Sequence, residues 1–155
     1  MQYMGLQRLC TVLAGLWVGG FITIGYLVTP ILFSALGDRQ VAGMIAGNLF
    51  RLEAYLSVVL SVVLMLASNF LAFKGFDHFR VVRWILLGML ACAVGAGFIL
   101  MPWMSSLRDQ ALIEGLSVMA SSSAPLFSRL HGISSGVFIA QSILGIALAW
   151  RLTKA

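Results

Sequence analysis

The chain has 155 residues, 61% of them hydrophobic and 10% charged, with a formal net charge of +5. Soluble domains carry about 25% charged residues, and a fold of this size cannot hide so much apolar surface, so a soluble domain is excluded. The basic residues stand at the ends of apolar runs rather than in a patch interleaved with aromatics, which excludes nucleic acid as a partner.

The first apolar run predicts a helix over 6–36. It outruns the core of a signal peptide, about 7–15 residues, and is read as a retained first span. Gly15 and Gly19 form a GxxxG pair, which lets another helix approach closely. Pro30 lacks a backbone donor and predicts a kink near 26–30, where the hydroxyls of Thr23, Tyr26 and Thr29 can satisfy freed carbonyls. Cys10 and Cys92 belong to no metal-ligand spacing and read as packing residues.

Asp38 in the following turn is suited to cap a second helix over 39–73. At 1.5 Å per residue that helix is roughly 50 Å long, against a ~30 Å hydrocarbon core, so its start projects beyond the core. Gly43, Gly47, Arg51 and Tyr55 recur every fourth residue and share a face, which the glycines turn inward. Glu53, two positions from Arg51, points elsewhere, toward Arg129 or a surface charge. Ser57, Ser61 and Ser68 form a weak polar stripe further along.

A basic connection at 74–83 leads into a third helix over 82–106, whose packing face is Gly88, Ala91, Cys92, Gly95, Ala96 and Gly97. Pro102 marks a kink or the end of the span. Residues 107–120 read as a short amphipathic surface helix, and 121–125 as a linker. The fourth helix covers 125–152, with Pro125 in its first turn, a second GxxxG pair at Gly132 and Gly136, and Gln141 and Ser142 at membrane depth. The fold class is an all-α integral membrane protein: one four-transmembrane-helix bundle over 1–155.

Lysines and arginines set the expected orientation. Six of the ten basic residues (Arg8, Lys74, Arg80, Arg83, Arg151 and Lys154) fall on one side of a four-helix arrangement, with a net charge of +5 against zero on the other. Both termini are therefore expected in the cytoplasm of a bacterium, with the protein in its inner membrane and the Arg51 and His131 ends outside.

Two segments carry a resemblance. One comprises Trp17-Val18-Gly19-Gly20, Val28-Thr29-Pro30-Ile31-Leu32-Phe33, Ala42-Gly43 and Leu49-Phe50; the other is Phe127-Ser128-Arg129-Leu130-His131-Gly132-Ile133-Ser134. Together they resemble the transmembrane protein 205-like family, domain of unknown function 4149. The resemblance implies a small bacterial four-helix membrane protein and brings no established reaction. It is distantly similar to copper-resistance D proteins and the J-type protoporphyrinogen oxidase, which commonly place a histidine near the start of the first helix. This chain has Gln7, Arg8 and Cys10 there.

The candidate ligand-binding residues are Asn48, Arg51, Tyr55, Arg129, His131 and Ser135. Arg51 is either an anion contact at the outer mouth or a charge that snorkels to the headgroups. His131 either handles a proton or metal or orients its helix by hydrogen bonding. Met101 and Met104, with His131, offer soft ligands for copper(I), although methionine is also the usual gap-filler of apolar cores. His78 lies at the opposite end from His131, so one chain cannot clamp a haem between two histidines. No cofactor is predicted. No nucleophile elbow, phosphate loop, dinucleotide fingerprint or carboxylate pair supports an enzyme. Three readings follow: binding or moving a small solute or ion at an outer polar pocket; a structural or accessory subunit with a membrane-protein partner or as a homo-oligomer; and a copper- or haem-related redox protein.

Overall fold

The computed structural model describes residues 3–153, which form helices and turns with no strand. Four helices are long and apolar enough to cross a membrane: α1 (Met4–Ala35), α2 (Arg39–Phe73), α3 (Phe79–Ile113) and α4 (Ala124–Thr153). They run up and down in a ring in which α1 packs on α2, α2 on α3, α3 on α4 and α4 on α1. The third helix starts earlier than its predicted 82 and runs through Pro102 to Ile113. Residues 107–113 are thus its last turns. Only a turn and one 3-10 turn, Val118–Ala120, separate it from α4.

Apolar side chains fill the inside of the bundle and also cover its outside. Ser57, Ser61, Ser68, Glu53, Gln141 and Ser142 are buried, whereas Leu16 is 71% and Trp84 73% exposed. Exposed leucines and tryptophans suit a hydrocarbon solvent, and the few polar side chains of the helix middles turn inward. One apolar cluster fills the bundle toward the chain termini, with Trp17 and Phe21 of α1, Leu64 and Leu71 of α2, Leu86 of α3 and Leu148 of α4. A smaller one, with Met104, Leu107 and Leu130, closes the other end. The buried glutamate and glutamine lie against the first cluster, tied through Ser57 to Trp17.

The basic segments meet at one end, as the charge distribution predicts. Tyr3 stacks edge-on against Phe70 and Phe76, the Lys74 ammonium lies 5.6 Å from the Phe70 ring centre, and Thr11 Oγ1 donates to the Leu152 carbonyl at 3.3 Å. Lys154 lies outside the described residues. At the opposite end Asp38 caps α2 as expected, accepting from the amides of Gln40 at 2.7 Å and Val41 at 3.3 Å.

Both odd-numbered helices are broken in the same way. Ile24–Val28 in α1 and Gly95–Leu100 in α3 are π-helical, and each stretch ends two residues before a proline, at Thr29-Pro30 and Met101-Pro102. A wide turn absorbs the register shift that a missing proline donor creates. The Ile24 carbonyl accepts both the Thr29 amide and Thr29 Oγ1, the latter at 2.9 Å. Thr29→Val keeps the shape and removes one of these donors. Its expected cost is about 0.5–1 kcal/mol in detergent-mediated unfolding, with the fold retained; a loss several times larger would mean that the hydroxyl, not the amide, holds the wide turn.

Candidate functional site

Helix α2 carries two polar faces. On the inner face, Glu53, Ser57, Ser61, Leu64, Ser68 and Leu71 follow one another at four- and three-residue steps, and all are buried. Glu53 is only 7% exposed. The expectation that Glu53 points toward Arg129 or the surface is therefore corrected: it lies on the serine stripe, one turn before Ser57. Arg51, two residues away on a 100° helical wheel, is exposed instead.

Ser57 is the hub of the inner face. Its oxygen accepts from Trp17 Nε1–H of α1 at 2.8 Å and from Gln141 Nε2–H of α4 at 3.0 Å. A serine hydroxyl has two acceptor sites and one proton. With both acceptor sites taken, its O–H is left for the Glu53 carboxyl, to which it donates. Three helices are thus joined through one atom in the middle of the bundle. Nearby, Tyr26 O–H donates to Ser142 Oγ at 3.4 Å, while Ser142 donates to the Phe138 carbonyl at 2.9 Å. The Ser61 and Ser68 hydroxyls have no hydrogen-bond partner among the described residues.

The second face borders α3. Arg51 and Tyr55 line an open recess of about 470 Å³ with Gly97, Pro102, Ser105, Ser106, Asp109 and Gln110. Arg51 Nη2–H donates to Ser105 Oγ at 3.5 Å, and Ser105 in turn reaches the carbonyls of Met101 and Pro102 at 3.1 and 3.0 Å, capping the break in α3. The Tyr55 ring stands edge-on to Phe98, 5.4 Å between centres. Arg108 lies close enough to Arg51 for the two charges to repel, and its guanidinium is over the Phe127 ring at 5.8 Å. The only ion pair among the described residues is Arg80–Asp77, at the other end of the bundle; Asp109 lines the same recess as Arg51 without pairing with it.

The six predicted ligand-binding residues divide. Arg51 and Tyr55 share the recess. Asn48, Arg129, His131 and Ser135 do not line it and are exposed. The His131 ring is stacked on Phe127 at 6.3 Å, and its carbonyl accepts from Ser135 Oγ at 2.9 Å, so this part of α4 is satisfied within its own helix. Arg51 and His131 therefore do not converge on one pocket. Met104 is buried in the apolar end cluster and Met101 packs against it. No group of three His, Cys, Asp or Glu side chains gathers among the described residues. Reading the residues alone missed Glu53, Trp17 and Gln141 as members of one network, and Ser105, Asp109 and Gln110 as walls of the recess. The serine stripe extended by one turn would have found Glu53.

A family described as "Domain of unknown function (DUF4149)" matches residues 12–112. The matched stretch contains Trp17, Glu53 and Ser57 and the walls of the recess up to Gln110. No curated protein and no solved structure matches the chain.

Proposed function

We propose that this chain, which belongs to the DUF4149 family, is a multi-pass protein of a bacterial inner membrane that binds a small oxyanion in the recess beside Arg51. The likeness to the transmembrane protein 205-like family is part of this reading. The collection of Arg8, Lys74, Arg80, Arg83 and Arg151 at one end supports cytoplasmic termini and an outward-facing recess. The observation that carries the reading is Arg51: an exposed guanidinium with no ion pair among the described residues, at the wall of a polar recess with Arg108 nearby. Guanidinium groups hold planar oxyanions through paired, charge-assisted hydrogen bonds. Ser105, Ser106 and Gln110 add neutral donors, and Asp109 limits how much negative charge is tolerated.

Isothermal titration of the purified protein with sodium phosphate, sulfate and acetate tests this. Saturable binding of at least one is expected, weakened about tenfold or more in Arg51→Ala and tightened in Asp109→Asn. Binding by none of the three, or equal binding by Arg51→Ala, contradicts it. One observation favours the accessory reading as a second possibility: the GxxxG pairs Gly15/Gly19 and Gly132/Gly136 face open space, with nothing within 4 Å of an added Cβ. Two helices of a partner could seat there. A monodisperse monomer in mild detergent and in cross-linked membranes removes that alternative.

A further inference from the structure

We propose that a second site, a groove between α1 and α2 floored by Glu53, binds apolar organic cations that arrive through the bilayer. The groove has a volume of about 290 Å³ and lies across α2 from Arg51. Its walls are Leu13, Leu16 and Phe21 of α1 and Leu49, Leu52 and Leu56 of α2, with the Trp17 ring beside the carboxyl. Leu16, Leu52 and Leu56 are 71%, 59% and 51% exposed on the outer surface of the bundle. The mouth of the groove therefore opens onto hydrocarbon rather than onto water.

Charge selects the occupant. A carboxylate at membrane depth is stable only when a cation or a proton accompanies it. The protein supplies no cation: among the described residues Glu53 makes no ion pair, and no other titratable side chain lines the groove. The surrounding elements contribute little else that is polar. From α1 comes the Trp17 indole, from α2 Ser57, and from α4 Gln141, all three tied to one another through the Ser57 oxygen; at α3, Gly97 packs on Ala54 beside Glu53. The Ser57 hydroxyl holds one carboxyl oxygen, leaving the carboxyl fixed at the groove floor. An aliphatic ammonium would place its chain along the leucines and its head between Glu53 and the Trp17 ring, which attracts cations through its face. An anion meets an unneutralised carboxylate. A neutral chain gains only the walls. The broken helix α1 supports the placement: Ile24, at the start of its π stretch, and Gly20, one turn before it, line this groove, as Gly97 within the π stretch of α3 and Pro102 just after it line the recess. In repeat-built secondary transporters, interrupted helices at corresponding positions of the two halves mark the binding site.

The test uses the full chain in lipid nanodiscs and three probes with one apolar chain and different heads: decyltrimethylammonium, decanol and decyl sulfate. Dicyclohexylcarbodiimide, an apolar reagent whose C=N bond takes up a protonated carboxyl to give an O-acylurea that rearranges to a stable N-acylurea, should modify Glu53, as read by mass spectrometry. Decyltrimethylammonium should slow that modification about tenfold or more, and the other two should not. Direct titration should show decyltrimethylammonium binding that strengthens as pH rises, because proton and cation compete for one carboxylate, and that weakens about 30-fold or more in Glu53→Gln. Glutamine keeps an acceptor for Ser57, and the carbodiimide protection is read on the unmutated protein. Failure of the carbodiimide to reach Glu53, equal protection by decanol or decyl sulfate, or unchanged cation binding by Glu53→Gln would each overturn the proposal.

Discussion

Replacing Ser57 by alanine is expected to lower the stability of the bundle by roughly 2–4 kcal/mol, measured by reversible unfolding in mixed micelles. Hydrogen bonds between membrane helices are individually modest, averaging about 0.6 kcal/mol, because the unfolded chain in a bilayer also finds partners. Ser57 is different in number rather than kind. One oxygen satisfies the Trp17 indole at 2.8 Å and the Gln141 amide at 3.0 Å, and its proton serves Glu53. Alanine leaves three polar groups without this partner in a medium that offers no water. Ser61→Ala, one turn away on the same stripe, removes a hydroxyl with no partner and should fall within about 0.5 kcal/mol of the parent. Equal losses for the two serines would show that the network adds nothing to the packing of a small side chain.

The second large effect is expected at Gly97. A Cβ built there would meet the Ala54 Cβ at 2.6 Å and the Ala54 Cα at 4.0 Å. The obstacle is the stem of a neighbouring helix, not the end of a flexible side chain, so α2 and α3 must separate. Gly97→Ala should cost about 1–3 kcal/mol and Gly97→Val more. Ala54→Gly opens the same space from the other side. The pair Gly97→Ala with Ala54→Gly should therefore show a favourable coupling of about 1–2 kcal/mol in a double-mutant cycle. Strict additivity of the two changes would mean that the helices do not touch at this point. Gly132→Ala and Gly136→Ala, on a face with nothing nearby, should be close to neutral in the isolated protein.

Much of the fold was legible because the bilayer imposes it. Four runs of sufficient length and hydropathy, and basic residues gathered at alternate ends, follow from the cost of placing backbone and charge in hydrocarbon. The ends of α3 were harder to read. Pro102 reads as a kink or the end of the span, with the helix expected to reach 106; the wide turn at Gly95–Leu100 supplies the slack that carries it through the proline to Ile113. No local signal distinguishes a proline that ends a helix from one preceded by a π turn. The site was legible in part. The four-residue step from Gly47 to Arg51 to Tyr55 correctly groups one face, and Gly47 does lie in contact distance of a neighbour, with Arg108 Nη1 3.6 Å from its would-be Cβ. That face meets the rim of α3 rather than the centre. A guanidinium on a long stem can satisfy itself at an aqueous edge, whereas a carboxyl on the serine stripe has no such reach. Position on the helix, about 200° apart, rather than charge, separates Arg51 from Glu53. The pairing of Trp17 with Gln141 through Ser57 spans three helices and depends on their relative rotation, which periodicity along one helix does not encode.

The central claim is that the two charged residues of α2 face different worlds: Arg51 a recess open to water on the side away from the basic loops, and Glu53 the inside of the membrane-embedded bundle. Cysteine labelling in intact spheroplasts tests it most directly. In a background with Cys10 and Cys92 replaced by alanine, Ser106→Cys, on the exposed wall of the recess, is expected to react with a membrane-impermeant maleimide added outside. Glu53→Cys is expected to stay unmodified by the same reagent before and after permeabilisation. Labelling of Ser106→Cys only after the cells are opened would reverse the proposed orientation, and ready labelling of Glu53→Cys by the impermeant reagent would contradict the burial on which the account rests.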